Sequence, residues 1–225
     1  MRCVIQCANS KQEGAGTFIT ADGRRVAFVA NPALAPVVSG VLHVHPDDRS
    51  DPADLDSYTW RDLVTQENRT PVRNRWGLLP AGRLYKPAPY AKLADWIGGD
   101  RLFILSAGWG LVRSDFLLPA YDITFNSSAE HYKRRRTTRG FLDFNALDGV
   151  LADDTAFLGG KDYLPLFLAL TDRASGNRTV FYNAAEPPVA TGCRLQAYRT
   201  ARRTNWHYEC ATAMARGTVS PLFGN

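Results

Sequence analysis

Four short apolar runs, each stopping at a polar or glycine-rich segment, restrict this chain more than any other feature. They are Cys3–Cys7, Arg101–Ser106, Thr155–Leu158 and Thr179–Tyr182. They run on into Ala8-Asn9-Ser10-Lys11, Ala107-Gly108-Trp109-Gly110, Gly159-Gly160-Lys161 and Asn183. Apolar residues in consecutive positions suit strands buried on both faces. Arg194–Tyr198 reads as a fifth strand. Helical stretches lie between them: Tyr58–Asn68 capped by Asp56 or Ser57, Tyr90–Ile97 ending at Gly98-Gly99, a basic helix over Ala129–Thr137, and Lys161–Leu170. Thr204 caps a last helix, Asn205–Arg216, which Gly217 stops. Strands alternating with helices imply an α/β fold with a central, mostly parallel sheet flanked by helices. Asp22-Gly23, between Thr17–Thr20 and Arg25–Ala30, reads as a β-hairpin near the N-terminus. A length of 225 residues suits one domain over 1–225, with 13–74 as an insertion of hairpin and loops.

In open α/β sheets, ligands bind beyond the carboxyl ends of the strands. That rule selects the four loops named above. Asn9, Ser10 and Lys11 offer an amide, a hydroxyl and a cation to one ligand, although no glycine loop precedes the lysine as a phosphate-binding loop requires. Gly108 and Gly110 flank Trp109, so backbone can approach a ligand while the indole offers a stacking face. Asp115 and Asp122 follow as carboxylates able to orient water. His207 stands in the first turn of the last helix, where the positive helix end lowers its pKa. Each feature also has a plain structural reading: a polar turn, a packed indole, a half-exposed surface histidine.

Charge adds a partner class. The net charge is +5 and the isoelectric point about 9.1. Lys133, Arg134, Arg135, Arg136 and Arg139 form one cluster, and Arg194, Arg199, Arg202 and Arg203 a second. Two such clusters on one small domain suit a groove that tracks phosphates, or two solvated faces. Cys3, Cys7, Cys193 and Cys210 contain no C-x2-C pair, and His43 with His45 lacks a third ligand, so no metal is expected. The start, MRCVIQCANSK, has no apolar stretch of signal-peptide length, and no run approaches a membrane span. The expectation is a cytoplasmic monomer with reduced thiols and no membrane partner.

Three segments carry a resemblance. The opening strand with Cys7-Ala8-Asn9-Ser10-Lys11, the stretch LYKPAPYAKL (Leu84–Leu93) and ILSAGWGLVRSDFLLPAYDITF (Ile104–Phe125) resemble the bacterial YaaA-like proteins. That group is akin to the uracil-DNA-glycosylase fold. The match spans the first dozen residues and about Leu79–Arg136; Glu13–Asn74 falls outside it. FLGGKDYLPLF and TNWHYECA are similar to features of a subgroup that includes an anti-phage DNA glycosylase acting on glucosylated hydroxymethylcytosine. The Gly-Gln-Asp-Pro-Tyr and His-Pro-Ser motifs of uracil-DNA glycosylases are absent.

The resemblance implies excision of a modified base from phage DNA, leaving an abasic site, with no cofactor. Asn9 or Asp122 would hold the water, and His207, or failing that Lys161, would donate to the departing base. Trp109 or Tyr163 would stack on the flipped base. Ser10, Lys11, Gly108, Lys161 and Asn205 would also touch substrate. Lys133, Arg134, Arg135, Arg136 and Arg139, with Arg202 and Arg203, would grip phosphates. Two alternatives stay open: a non-catalytic DNA-binding protein of the peroxide-stress type, and a base-processing enzyme acting on tRNA or nucleotides.

Overall fold

The computed structural model describes residues 1–54, 56–70, 73–148, 153–201 and 204–223. The chain begins with β1 (Arg2–Gln6), in which Cys3, Val4 and Ile5 are fully buried. It leaves to build β2 (Arg25–Val29), β3 (Val41–Val44) and helix α1 (Trp60–Arg69). β4 (Leu79–Pro80), the short α2 (Ala81–Leu84) and α3 (Pro89–Ile97) lead back to β5 (Leu102–Ser106). β6 (Gly110–Arg113), β7 (Leu117–Leu118), β8 (Tyr121–Asp122) and β9 (Phe144–Asn145) follow. The last part runs β10 (Thr155–Leu158), α4 (Leu164–Thr171), β11 (Arg178–Tyr182), β12 (Arg194–Ala197) and α5 (Trp206–Ala215).

The main sheet has the order β12-β11-β10-β1-β5-β6-β9. β1 lies between β5 and β10, parallel to both, and β10, β11 and β12 continue in parallel. Helices cover both faces. Phe167 of α4 stacks on Phe157 with ring centroids 4.4 Å apart, and α5 packs against α3 and β10. Coverage on both sides is why β1, β5 and β10 read as unbroken apolar runs.

The sequence missed the antiparallel step. After Ser106 the chain turns back at once, and β6 pairs antiparallel with β5 while β9 lies parallel to β6. Gly110 permits the reversal: its φ is +87°, and a Cβ there would lie 2.4 Å from the Phe144 carbonyl oxygen.

The expected hairpin is short and forms no two-strand ladder: around the Asp22-Gly23 turn, Thr20 N–H donates to the Arg24 carbonyl and Val26 N–H to the Phe18 carbonyl, both at 2.9 Å. Gly23 N–H donates to the Thr20 carbonyl, and a single antiparallel bridge joins Ile19 to Arg25. β2 instead has β3 and β8 as parallel ladder partners, which leaves Thr17–Thr20 without a ladder of its own. The expected basic helix over Ala129–Thr137 is also absent. Arg134 bridges Thr124 in parallel, and Arg135 N–H donates to the Thr124 carbonyl, so these residues run extended. α1 starts two residues later than expected because Thr59 and Asp62 form a reciprocal capping box. Asn205, not Thr204, is the N-cap of α5.

Candidate functional site

Connections leave β1 toward β5 and leave β10 toward β11, in opposite directions. The crevice between the carboxyl ends of β1 and β10 is therefore the topological switch point of the sheet, where such folds bind ligands. Two contacts close its floor. Gly160 N–H donates to Gln6 Oε1 at 2.6 Å, and the Cys7 thiol lies 3.2 Å from the Tyr163 hydroxyl. Gly159 must stay small here, since a Cβ would lie 2.3 Å from the Phe157 ring.

Phenols gather around Cys7. Tyr121 Oη lies 2.7 Å from Tyr85 Oη and accepts a hydrogen bond from Ser106 Oγ at 2.9 Å. Tyr90 Oη donates to the Gln6 carbonyl at 2.8 Å. Burial raises Tyr85, Tyr121 and Tyr163 well above the ordinary phenol range, so all three are neutral hydroxyls at physiological pH. The sequence reading overlooked this cluster. Its signal was the spacing of Tyr85 and Tyr90 within LYKPAPY and of Tyr121 beside Asp122.

Lys11 joins the cluster from the loop after β1, its Nζ 4.1 Å above the centroid of the Tyr121 ring. Asn9 and Ser10, beside it, are exposed. Asp122 is half-exposed and takes an ion pair from Lys133 at 2.7 Å; Lys133 also reaches Glu130 at 3.1 Å. Those two carboxylates hold Lys133 as a committed ammonium, far above its ordinary pKa. Lys133 is thus tied to the site by Asp122 and is not a free phosphate contact.

Three concavities succeed one another along this face. One of about 390 Å³ is bordered by Phe125, Arg134, Arg136, Lys161 and Asp162. It adjoins the crevice, because Phe125 packs edge-on to Tyr163 with centroids 5.1 Å apart. A groove of about 740 Å³ shares Arg134 and Arg136 and extends past Arg139 and His131 to Leu34. On the other side a cavity of about 410 Å³ shares Lys161 and reaches Tyr182, Asn183 and Trp206, at the carboxyl ends of β10 and β11.

Some expected site residues belong to the core instead. Trp109 is wholly buried, edge-on to Phe28 at 5.1 Å and stacked with Phe144, so no base can reach its face. Gly108 is buried with it; a Cβ there would meet Ile123 at 3.0 Å, which explains the glycine without a ligand. Arg135 is 2 % exposed, and its five N–H donors are matched by Asp143 Oδ1 and Oδ2 and the carbonyls of Ala107, Thr137 and Thr138. It has no donor left for a phosphate. Tyr163 is buried, so it holds the crevice floor rather than presenting an open ring. Arg136, Arg139, Lys161 and Asn205 are exposed, and Arg134 partly so. Arg202 and Arg203 lie outside the described residues.

His207 is 5 % exposed and its Nε2 has no partner. Burial, not the helix end, lowers its pKa to about 4, so the imidazole is neutral at pH 7. Among the described residues no hydrogen bond or ion pair joins it to Asn9 or Asp122. No helix among the described residues is long and apolar enough to cross a membrane. No family model, curated protein or solved structure matches this chain.

Proposed function

We propose that the protein is a DNA glycosylase that binds DNA along the arginine groove and cleaves the N-glycosidic bond of a nucleotide presented to the β1/β10 crevice. One observation carries this reading. The polar loops at the switch point lie next to a basic groove: Phe125 borders the arginine-lined concavity and packs against Tyr163 of the crevice floor, and Lys161 of the loop after β10 borders the same concavity. A small-molecule enzyme needs the crevice without the groove. A pure binding protein needs the groove without the crevice.

Bond cleavage requires water beneath C1′, support for a cationic sugar, and a donor for the departing base. Exposed Asn9 and half-exposed Asp122 are the residues for the water. Lys161, exposed on the loop after β10 and bordering two of the concavities, is the donor assigned to the leaving group in this reading. His207 is neutral but buried, with its Nε2 closed off from solvent, so the donor role falls to Lys161 alone. The 410 Å³ cavity beside Gly159 and Gly160 falls in the size range of ligand pockets and gives room for an enlarged base, such as glucosylated hydroxymethylcytosine.

The test incubates the protein with phage DNA carrying that base, with unmodified DNA and with uracil-containing DNA, and then assays abasic sites. Abasic sites only in the modified DNA establish the reading and its substrate class. Binding to all three DNAs without abasic sites replaces it with the non-catalytic reading.

A further inference from the structure

We propose that Lys11 is an amine nucleophile, whose Nζ condenses with the aldehyde of an abasic sugar at the crevice and carries cleavage of the strand by β-elimination. The inference rests on the glycosylase reading for the origin of that sugar, but not for its own test.

The backbone around Lys11 is pinned on both sides. Lys11 bridges Tyr85, Lys86 N–H donates to the Ser10 carbonyl at 3.2 Å, and Gln12 N–H donates to the Leu84 carbonyl at 2.8 Å. The ring beneath its Nζ is fixed as well, since Tyr121 Oη is tied to Tyr85 and Ser106. An amine held this way has a defined position at the carboxyl end of β1, beside exposed Asn9 and Ser10.

Lys11 and Lys133 are divided by their partners. Lys133 takes both nearby carboxylates, Asp122 and Glu130. Lys11 is left with an aromatic face and no ion-paired carboxylate among the described residues. Burial lowers the pKa of Lys11; Cys7 and Asp122 oppose the shift, and the Lys133 ammonium adds to it. A nucleophilic amine has to shed its proton first, and desolvation beside a second cation is a known route to that state. Lys161, the other amine on this face, is exposed on its loop.

The step balances without an oxidant. The Nζ lone pair attacks C1′ of the ring-opened sugar, and one water leaves as the protonated imine forms. The C2′ proton passes to Asp122 or to water, and the electron pair released expels the 3′ phosphate. One water then hydrolyses the imine and returns the amine.

The test uses the full chain and a synthetic duplex with one preformed abasic site, in the presence of sodium borohydride. A reduced covalent adduct is expected on the wild-type protein, with the added mass on the peptide containing Lys11. Lys11→Arg keeps the cation over Tyr121 and is expected to lose the adduct. Lys92→Ala, on the exposed side of α3, is expected to keep it. No wild-type adduct, an adduct on the N-terminal amine, Lys133 or Lys161, or one that persists in Lys11→Arg would overturn the proposal. Because the abasic site is preformed, trapping without base excision refutes only the glycosylase reading, and excision without trapping refutes only this one.

Discussion

The Cys7 thiol and the Tyr163 hydroxyl, 156 residues apart in sequence, meet at 3.2 Å and join the loop after β1 to the loop after β10. Both groups are buried, so removing one strands the other. Tyr163→Phe is expected to lower stability by about 1 kcal/mol. If the crevice is the proposed excision site, the change should also slow excision by more than that loss explains, because the crevice floor loosens. Urea unfolding alongside single-turnover excision rates would separate the two effects.

Arg135 and Arg136 are neighbours with opposite fates. Arg135→Ala leaves Asp143 buried and unpaired, and is expected to cost about 3–5 kcal/mol. Arg136→Ala and Arg139→Ala should leave stability unchanged. If each removes one phosphate contact, the slope of log K against log salt becomes shallower by about 0.9 per residue. Chemical denaturation and salt-dependent DNA binding read these outcomes directly.

Trp109→Ala is expected to cost about 3–5 kcal/mol, as deletion of a buried aromatic does. A stacking role would give a stable protein with weak substrate binding instead. A thermal melt decides between the two, and a stable variant would refute the core assignment.

His207 makes stability depend on pH. Its folded pKa, about 4, lies below the ordinary 6.5, so the unfolded chain binds more protons between those values. Stability is therefore complete above about pH 6.5 and falls as the solution is acidified toward pH 4, by about 2–3 kcal/mol from this group. His45, also lowered by burial, adds to the same slope. His207→Leu should flatten most of the dependence in denaturant titrations at pH 4.5, 5.5 and 7. An unchanged slope would show that other groups set it.

The central strands were legible because burial on both faces leaves an unmistakable run of apolar residues, as in Cys3-Val4-Ile5 and Leu102–Leu105. Loop positions followed from the polar residues that end each run. Residues with two physical uses were not legible. Glycines beside Trp109 suit a ligand or a crowded core, and only the positions of Phe144 and Ile123 decide between them. Arg135 with four basic neighbours suggested a basic helix, and nothing local announced that Asp143 would draw one guanidinium inward. The tyrosine cluster escaped because Tyr85, Tyr121 and Tyr163 come from separate segments and converge only once the sheet is formed.

The place of β1 between β5 and β10 also sets an order of events. Cys3 finds Leu102 on one side and Ala156 on the other, so β1 is made first yet completes its pairing only when β10, more than 150 residues later, is made. Contacts this distant in sequence make folding slow. Until β10 arrives, one edge of β1 stays bare and open to wrong pairing. A chain interrupted before β10 would hold most of its groove residues yet have no crevice floor, so the crevice is among the last parts of the molecule to exist.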